Sequence, residues 1–223
     1  MRIAVLGTGT VGRALGRRLA ELGHTVTLGT RDPDVTRARP GIEEVPGIAV
    51  ATFADAVVTA DVVVVALDGG VVLEVLGPLA PHLRGTVLVD VTNPLDFSAG
   101  FPPTLSVKDT DSLAEQVQRL LPDTKVVKTL NTMNAEVMAH PERVGAGDHT
   151  VFLSGDNSTA KAVVEGLLLE MGHTDILDLG GIDTARGVEM FLPLWLRLMG
   201  ALGTAEFQVK VVRVGSAGEV VAD

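Results

Sequence analysis

Three glycines, Gly7, Gly9 and Gly12, stand in the order Gly-x-Gly-x-x-Gly directly after the apolar run at residues 3–6. That spacing serves a backbone that must turn sharply, lie bare against a large anion and pack a helix closely on a strand. Val11, Leu15, Leu19 and Leu22 then recur at helical spacing and stop at Gly23. A helix starting there aims its free N–H groups and the positive end of its dipole at whatever fills the turn. The chemistry expected is dinucleotide binding, with Gly7 for the turn, Gly9 leaving room for the pyrophosphate, Gly12 for close packing and Thr8 as an additional phosphate ligand.

The second strand decides which dinucleotide. An NAD site places an acidic residue at its end, for the ribose hydroxyls. Here the chain reads LGTRDPD, so Thr30 and Arg31 offer a hydroxyl and a planar cation suited to a 2′-phosphate. NADP is therefore the expected cofactor, and Asp32 is read as a turn former ahead of Pro33.

These residues need a scaffold that brings strand ends together. Short Val/Ile/Leu runs alternate with helical patterns, which predicts a parallel sheet covered on both faces. Strands are expected at RIAVLG, TVTLG, IAVAT, DVVVVAL, TVLVDV, KVVKTLN, TVFLSG and TDILDLG, and helices at 11–22, 53–59, 70–80, 111–121, 158–171 and 183–200. The alternating FQVKVVRV is expected to close the sheet as an edge strand. The fold class is thus α/β, a Rossmann-type doubly wound and mostly parallel sheet. A dinucleotide-binding domain is expected over 1–122, with a smaller C-terminal helical and strand extension over 123–223.

Composition narrows the chemistry further. Eighteen Lys and Arg against 28 Asp and Glu give a formal charge of −10, which disfavours nucleic acid and anionic membranes as partners. There is no cysteine, so redox chemistry must come from a bound cofactor. The histidines at 24, 82, 140, 149 and 173 show no metal spacing and are read as surface residues. No GxSxG nucleophile elbow occurs, and Glu43 and Glu44 are read as a charged loop pair. The chain leads straight into a strand without a signal-peptide layout, so a cytoplasmic protein is expected.

The strand ends ALDGG, VTNPL and LNTMN should line the nicotinamide crevice, which makes Leu67, Asp68, Thr92, Asn93, Pro94, Asn131, Thr132 and Met133 the candidate pocket. Asn93 and Asn131 suit hydrogen bonds to a carboxamide or substrate carbonyl, or alternatively a turn. Phe97 and Phe101 suit a cover over a flat ring, or packing of their own loop. Thr129, Thr132 and Asn134 add polar character nearby. Residues 183–200 are apolar almost all round, which fits either full burial or a homodimer interface, with Pro193 kinking or breaking the helix.

RIAVLGTGTVGRALGRRLAELGHTVTLGTRDP, VTNPLDF, KVVKTLNT and GGIDTARGVEMFLPL together resemble the NADP-dependent reductases of the deazaflavin coenzyme F-420 (F420). The resemblance implies NADP held by Gly7, Thr8, Gly9, Thr10, Val11, Gly12, Thr30 and Arg31, and F420 or a flavin stacked over the nicotinamide as hydride partner. Two positions depart from that family's pattern: DPDV follows the arginine, leaving Arg37 as a further basic candidate, and Asn131 stands where the deazaflavin enzymes carry a histidine. NADPH-dependent reduction of a small carbonyl or imine, and a non-catalytic NADP-binding sensor, are the alternative readings.

Overall fold

Side chains along the first strand alternate between two apolar cores, so the sheet must be covered twice. In β1 (Arg2–Leu6), Ile3 and Val5 enter one core while Ala4 and Leu6 enter the other. β2 (Thr25–Thr30), β3 (Ile48–Thr52), β4 (Val62–Val65) and β5 (Val87–Asp90) follow. Next comes a two-residue hairpin, β6 (Leu95–Asp96) with β7 (Thr104–Leu105), and then β8 (Lys125–Lys128). β4 is VVVV because a strand buried on both faces has no use for polar alternation. The computed structural model, which describes residues 1–39 and 47–214, orders the main sheet β3-β2-β1-β4-β5-β8, every pair parallel. Strand order reverses between β1 and β4, the switch point where open sheets of this kind take ligands.

One face carries α1 (Thr10–Glu21). The short α2 (Pro33–Arg37) follows β2, with Asp32 accepting from the Asp34 and Val35 N–H groups as its N-cap. The opposite face is covered by α3 (Phe53–Val58), α4 (Val72–Leu76), α5 (Ala80–Leu83) and α6 (Leu113–Leu120). α7 (Ala135–Ala139) and α8 (Ser158–Met171) return to the face of α1. β9 (Thr150–Leu153) and β10 (Asp175–Asp178) form a small parallel sheet of their own, joined to β8 by a bridge between Lys128 and Ser154. α9 (Ala185–Met190) and α10 (Leu192–Leu202) complete the described elements.

Four expectations need correction. The helix expected over 70–80 is three pieces, α4, a 3-10 turn at Gly77–Leu79 and α5, because Pro78 and Pro81 each remove a backbone donor. The helix expected over 183–200 breaks at Phe191, with Pro193 in the first turn of α10, where a missing N–H costs nothing. Residues 207–214 form no strand: one backbone bond runs from Thr150 N to Val209 O (2.9 Å), while Val209 N turns to the Gln208 side chain (2.9 Å). His149 and His173 are buried rather than on the surface, their Nε2 atoms bonded to Pro141 O (3.1 Å) and Met138 O (3.0 Å). Glu43 and Glu44 lie outside the described residues.

Candidate active site at the sheet's switch point

The glycine loop contains two kinds of glycine. Gly7 has φ +113°, and a Cβ there would sit 2.3 Å from Ala66 O; a Cβ on Gly12 would sit 2.0 Å from Gly7 O. The fold itself demands both. Gly9 has an ordinary φ of −74°, and a Cβ on it would meet nothing within 4 Å. Its missing side chain leaves bare backbone in front of α1. No side chain caps that helix and its first turn carries no acid, so its amide donors face the open space over Gly9. A pyrophosphate fits this cradle, and the cradle is what a Cβ at residue 9 would fill.

Gly7 N donates to Gly29 O (3.0 Å), which fixes the loop against the end of β2. A Cβ on Gly29 would meet the Leu6 side chain at 2.7 Å and Ala56 and Phe53 of α3 at 3.3 Å, so glycine lets α3 lie close on that end of the sheet. Arg31 follows, exposed and without an ion-pair partner among the described residues. Thr30 is buried, and its hydroxyl shares a 2.8 Å hydrogen bond with Thr36 of α2. Arg37 is engaged by Asp34 (2.8 Å) and Val50 O (2.7 Å).

Beside the loop opens a cavity of about 280 Å³. Of the residues expected there, Leu67, Asp68, Thr92, Asn93, Asn131 and Met133 line it, together with Val11 of the glycine loop. Pro94 and Thr132 do not. Pro94 O holds β7 through Ser106 N (2.9 Å), and the Thr132 hydroxyl accepts from the Gln208 side chain (3.2 Å). Thr129 is buried with no hydrogen-bond partner for its hydroxyl among the described residues. Met138, Leu192 and Trp195, absent from the sequence expectation, supply apolar lining, and Phe97 lines the cavity as well. Trp195 stacks on Phe207 at 5.2 Å. Asp68 is the one ionisable side chain lining the cavity among the described residues, and its carboxylate accepts from Gly70 N (2.9 Å).

The two asparagines form one unit. Asn131 Nδ2 donates to Asn93 Oδ1 (2.9 Å) and to Val188 O (3.0 Å), while Asn93 Nδ2 donates to Asn131 O (2.9 Å). Both Asn131 amide protons are thereby used, which leaves its Oδ1 as acceptor. A tight turn aims the residue: Asn131 N bonds Thr129 O (2.8 Å) across Leu130, held at φ +60°. A leucine in the left-handed region costs about 1 to 3 kcal/mol, which the surrounding packing must outweigh.

Beneath this pair lies a buried charge network. Lys128, fully buried, reaches Asp90 Oδ2 (3.1 Å), Glu189 Oε1 (2.9 Å) and Thr92 O. Asp90 also accepts from Thr92 N (2.9 Å) and its hydroxyl (2.7 Å), and Glu189 from Leu113 N (2.8 Å) and Ala114 N (3.1 Å) at the start of α6. Burial works against the Lys128 ammonium, but the two facing carboxylates outweigh it and hold its pKa above the ordinary lysine value. The network fixes the carbonyl of Thr92 and ties α9, which carries Val188, to the sheet.

Residues 2–94 match the family described as NADP oxidoreductase, coenzyme F420-dependent. The F420-dependent NADP reductase of Methanothermobacter marburgensis is 31% identical over 211 residues, covering 89% of this chain and 92% of the relative. Metalloreductase STEAP3 of Rattus norvegicus is also 31% identical, over 87% of this chain, but the chain spans only 38% of that longer protein. A crystal structure of a candidate F420-dependent NADP reductase from Arthrobacter sp. FB24 superposes with a TM-score of 0.93 at 54% identity, covering 96% of this chain and all of the other. With its glycine cradle, its switch-point cavity and this extent of similarity, the chain belongs to the F420-dependent NADP reductase family.

Proposed function

We propose that the protein is an NADP(H)-dependent oxidoreductase that moves a hydride between NADP and a deazaflavin of the F420 type. The observation that carries this is Gly9, a glycine that neither its backbone angles nor its neighbours require, at the uncapped start of α1. In this reading the amides of Thr8, Gly9, Thr10, Val11 and Gly12 hold the pyrophosphate and Arg31 reads the 2′-phosphate.

The bound dinucleotide supplies or accepts the hydride, and the protein's part is to orient two flat rings and exclude water. Asn131 Oδ1 receives the carboxamide N–H of the nicotinamide, held in place by Asn93 and the Val188 carbonyl. Met133, Met138, Leu192 and Trp195 offer an apolar wall to the second ring. Hydride addition to a carbonyl or imine leaves a localised charge that takes its proton from a nearby acid, whereas on a deazaflavin the charge is delocalised over the pyrimidinedione ring, whose N1 takes its proton from solvent. Among the described residues Asp68 is the one ionisable side chain lining the cavity, and it is occupied by Gly70 N, which favours a deazaflavin acceptor. Anaerobic mixing of NADPH with F420, flavin and a ketone panel tests the reading. Equimolar coupling of F420 reduction to NADPH oxidation, or of F420H2 oxidation to NADP reduction, is expected, and no transfer with F420 in either direction overturns it.

The exposed apolar side of α10 supports a homodimer: Leu194 and Leu202 are 54% and 57% exposed. Leu194→Glu is expected to convert a dimer into a monomer in sedimentation velocity.

A further inference from the structure

We propose that the groove between the β6–β7 hairpin and α10 is a second acceptor subsite, one that takes an acidic side arm, carboxylate or phosphate ester, attached to the ring. The proposal rests on the reading above in requiring an acceptor ring in the 280 Å³ cavity. The groove has a volume of about 270 Å³, and its lining includes Pro103, Leu105, Lys108, Pro193, Leu196 and Arg197.

Three observations converge. First, cavity and groove share both walls. Leu95, on the cavity, pairs directly across the hairpin with Leu105, on the groove. On α10, Leu192 and Trp195 face the cavity while the next residues, Pro193 and Leu196, face the groove. Cavity and groove therefore lie against the same two elements, the hairpin and α10.

Second, the charge is of one sign. Lys108 and Arg197 both line the groove, and among its described lining residues there is no carboxylate. Third, neither cation is neutralised: like Arg31, Lys108 and Arg197 have no carboxylate within 4 Å among the described residues, in a chain whose charge is −10. Two unpartnered cations at one apolar groove are complementary to an anion with a flexible, partly apolar linker.

The test uses the full chain with two acceptors: F420, whose side arm carries a phosphodiester and glutamate carboxylates, and a neutral deazaflavin bearing only a ribityl chain. The readout is the ratio of their kcat/KM values with NADPH. Lys108→Ala and Arg197→Ala are each expected to lower that ratio about tenfold, the scale of one lost charge-assisted contact. The double variant should lose the dependence of F420 kcat/KM on ionic strength, and Arg197→Lys should retain most of the ratio. A ratio unchanged in the double variant, with both acceptors still turned over, overturns the subsite alone. Turnover of neither acceptor by the wild type overturns the assigned reaction and the subsite with it.

Discussion

Gly9 and Gly12 look alike in the sequence and differ in what they are for, which makes them separable by experiment. Gly9→Val should leave the apoprotein folded, shifting stability by no more than about 1 kcal/mol, the scale of a helix N-cap. It should also abolish binding of NADPH and NADH alike, as isothermal titration calorimetry would show. The Arg31 guanidinium makes a different claim. Arg31→Ala should weaken NADPH by roughly 10- to 150-fold, the worth of a hydrogen bond to a charged group, and change NADH little; equal losses would remove Arg31 from the 2′-phosphate. The glycines were legible because their constraint is local, set by a strand, a turn and a helix adjacent in the chain. The partner of Thr30 was not, since its hydroxyl bonds to Thr36 in a short helix that follows the strand. Trp195 and Leu192 left no signal at all: they reach the cavity only because α10 folds back over it from the far end of the chain.

At the scale of elements, the Lys128 network is the joint between β5, β8, α6 and α9. Removing the cation alone leaves two buried carboxylates facing each other. Lys128→Met is therefore expected to cost about 3 to 5 kcal/mol in urea unfolding. Adding Glu189→Gln should return part of that loss, since it removes one of the stranded charges. Most element positions were readable from period and punctuation, including α8, expected over 158–171 and found at Ser158–Met171. The two long helices that proved broken were misjudged because apolar content ran on through Pro78, Pro81 and Pro193, where backbone donors are missing. KVVK reads as a strand, but nothing local says that its last lysine is interior, as Asp90 lies 38 residues away.

For the whole molecule, the buried histidines set a limit on acid stability. His173 packs edge-on to His149 at 5.9 Å, and burial, aided by the neighbouring ring, lowers its pKa to about 4 against the pull of Glu142 and the bond to Met138 O. The folded state therefore keeps the ring neutral while the unfolded chain takes up a proton below about 6.5. This contribution is complete above pH 6.5 and is lost as pH falls toward 4, amounting to roughly 3 kcal/mol over the window. Urea midpoints measured between pH 7 and 4.5 should fall accordingly, and the slope should flatten in His173→Gln. Sequence gave no warning of this pair, because carbonyls of Met138 and Pro141, remote from both rings along the chain or across a turn, make their burial tolerable.

The interruption at Phe191 divides one apolar stretch into two leaves of unequal freedom. α9 is bolted to the sheet by a carboxylate seated under the start of α6, whereas α10 buries only Leu192 fully. A guest arriving between the sheet and the outer leaf would therefore press on the less anchored of the two, while α9, whose Val188 carbonyl steadies Asn131, stays seated.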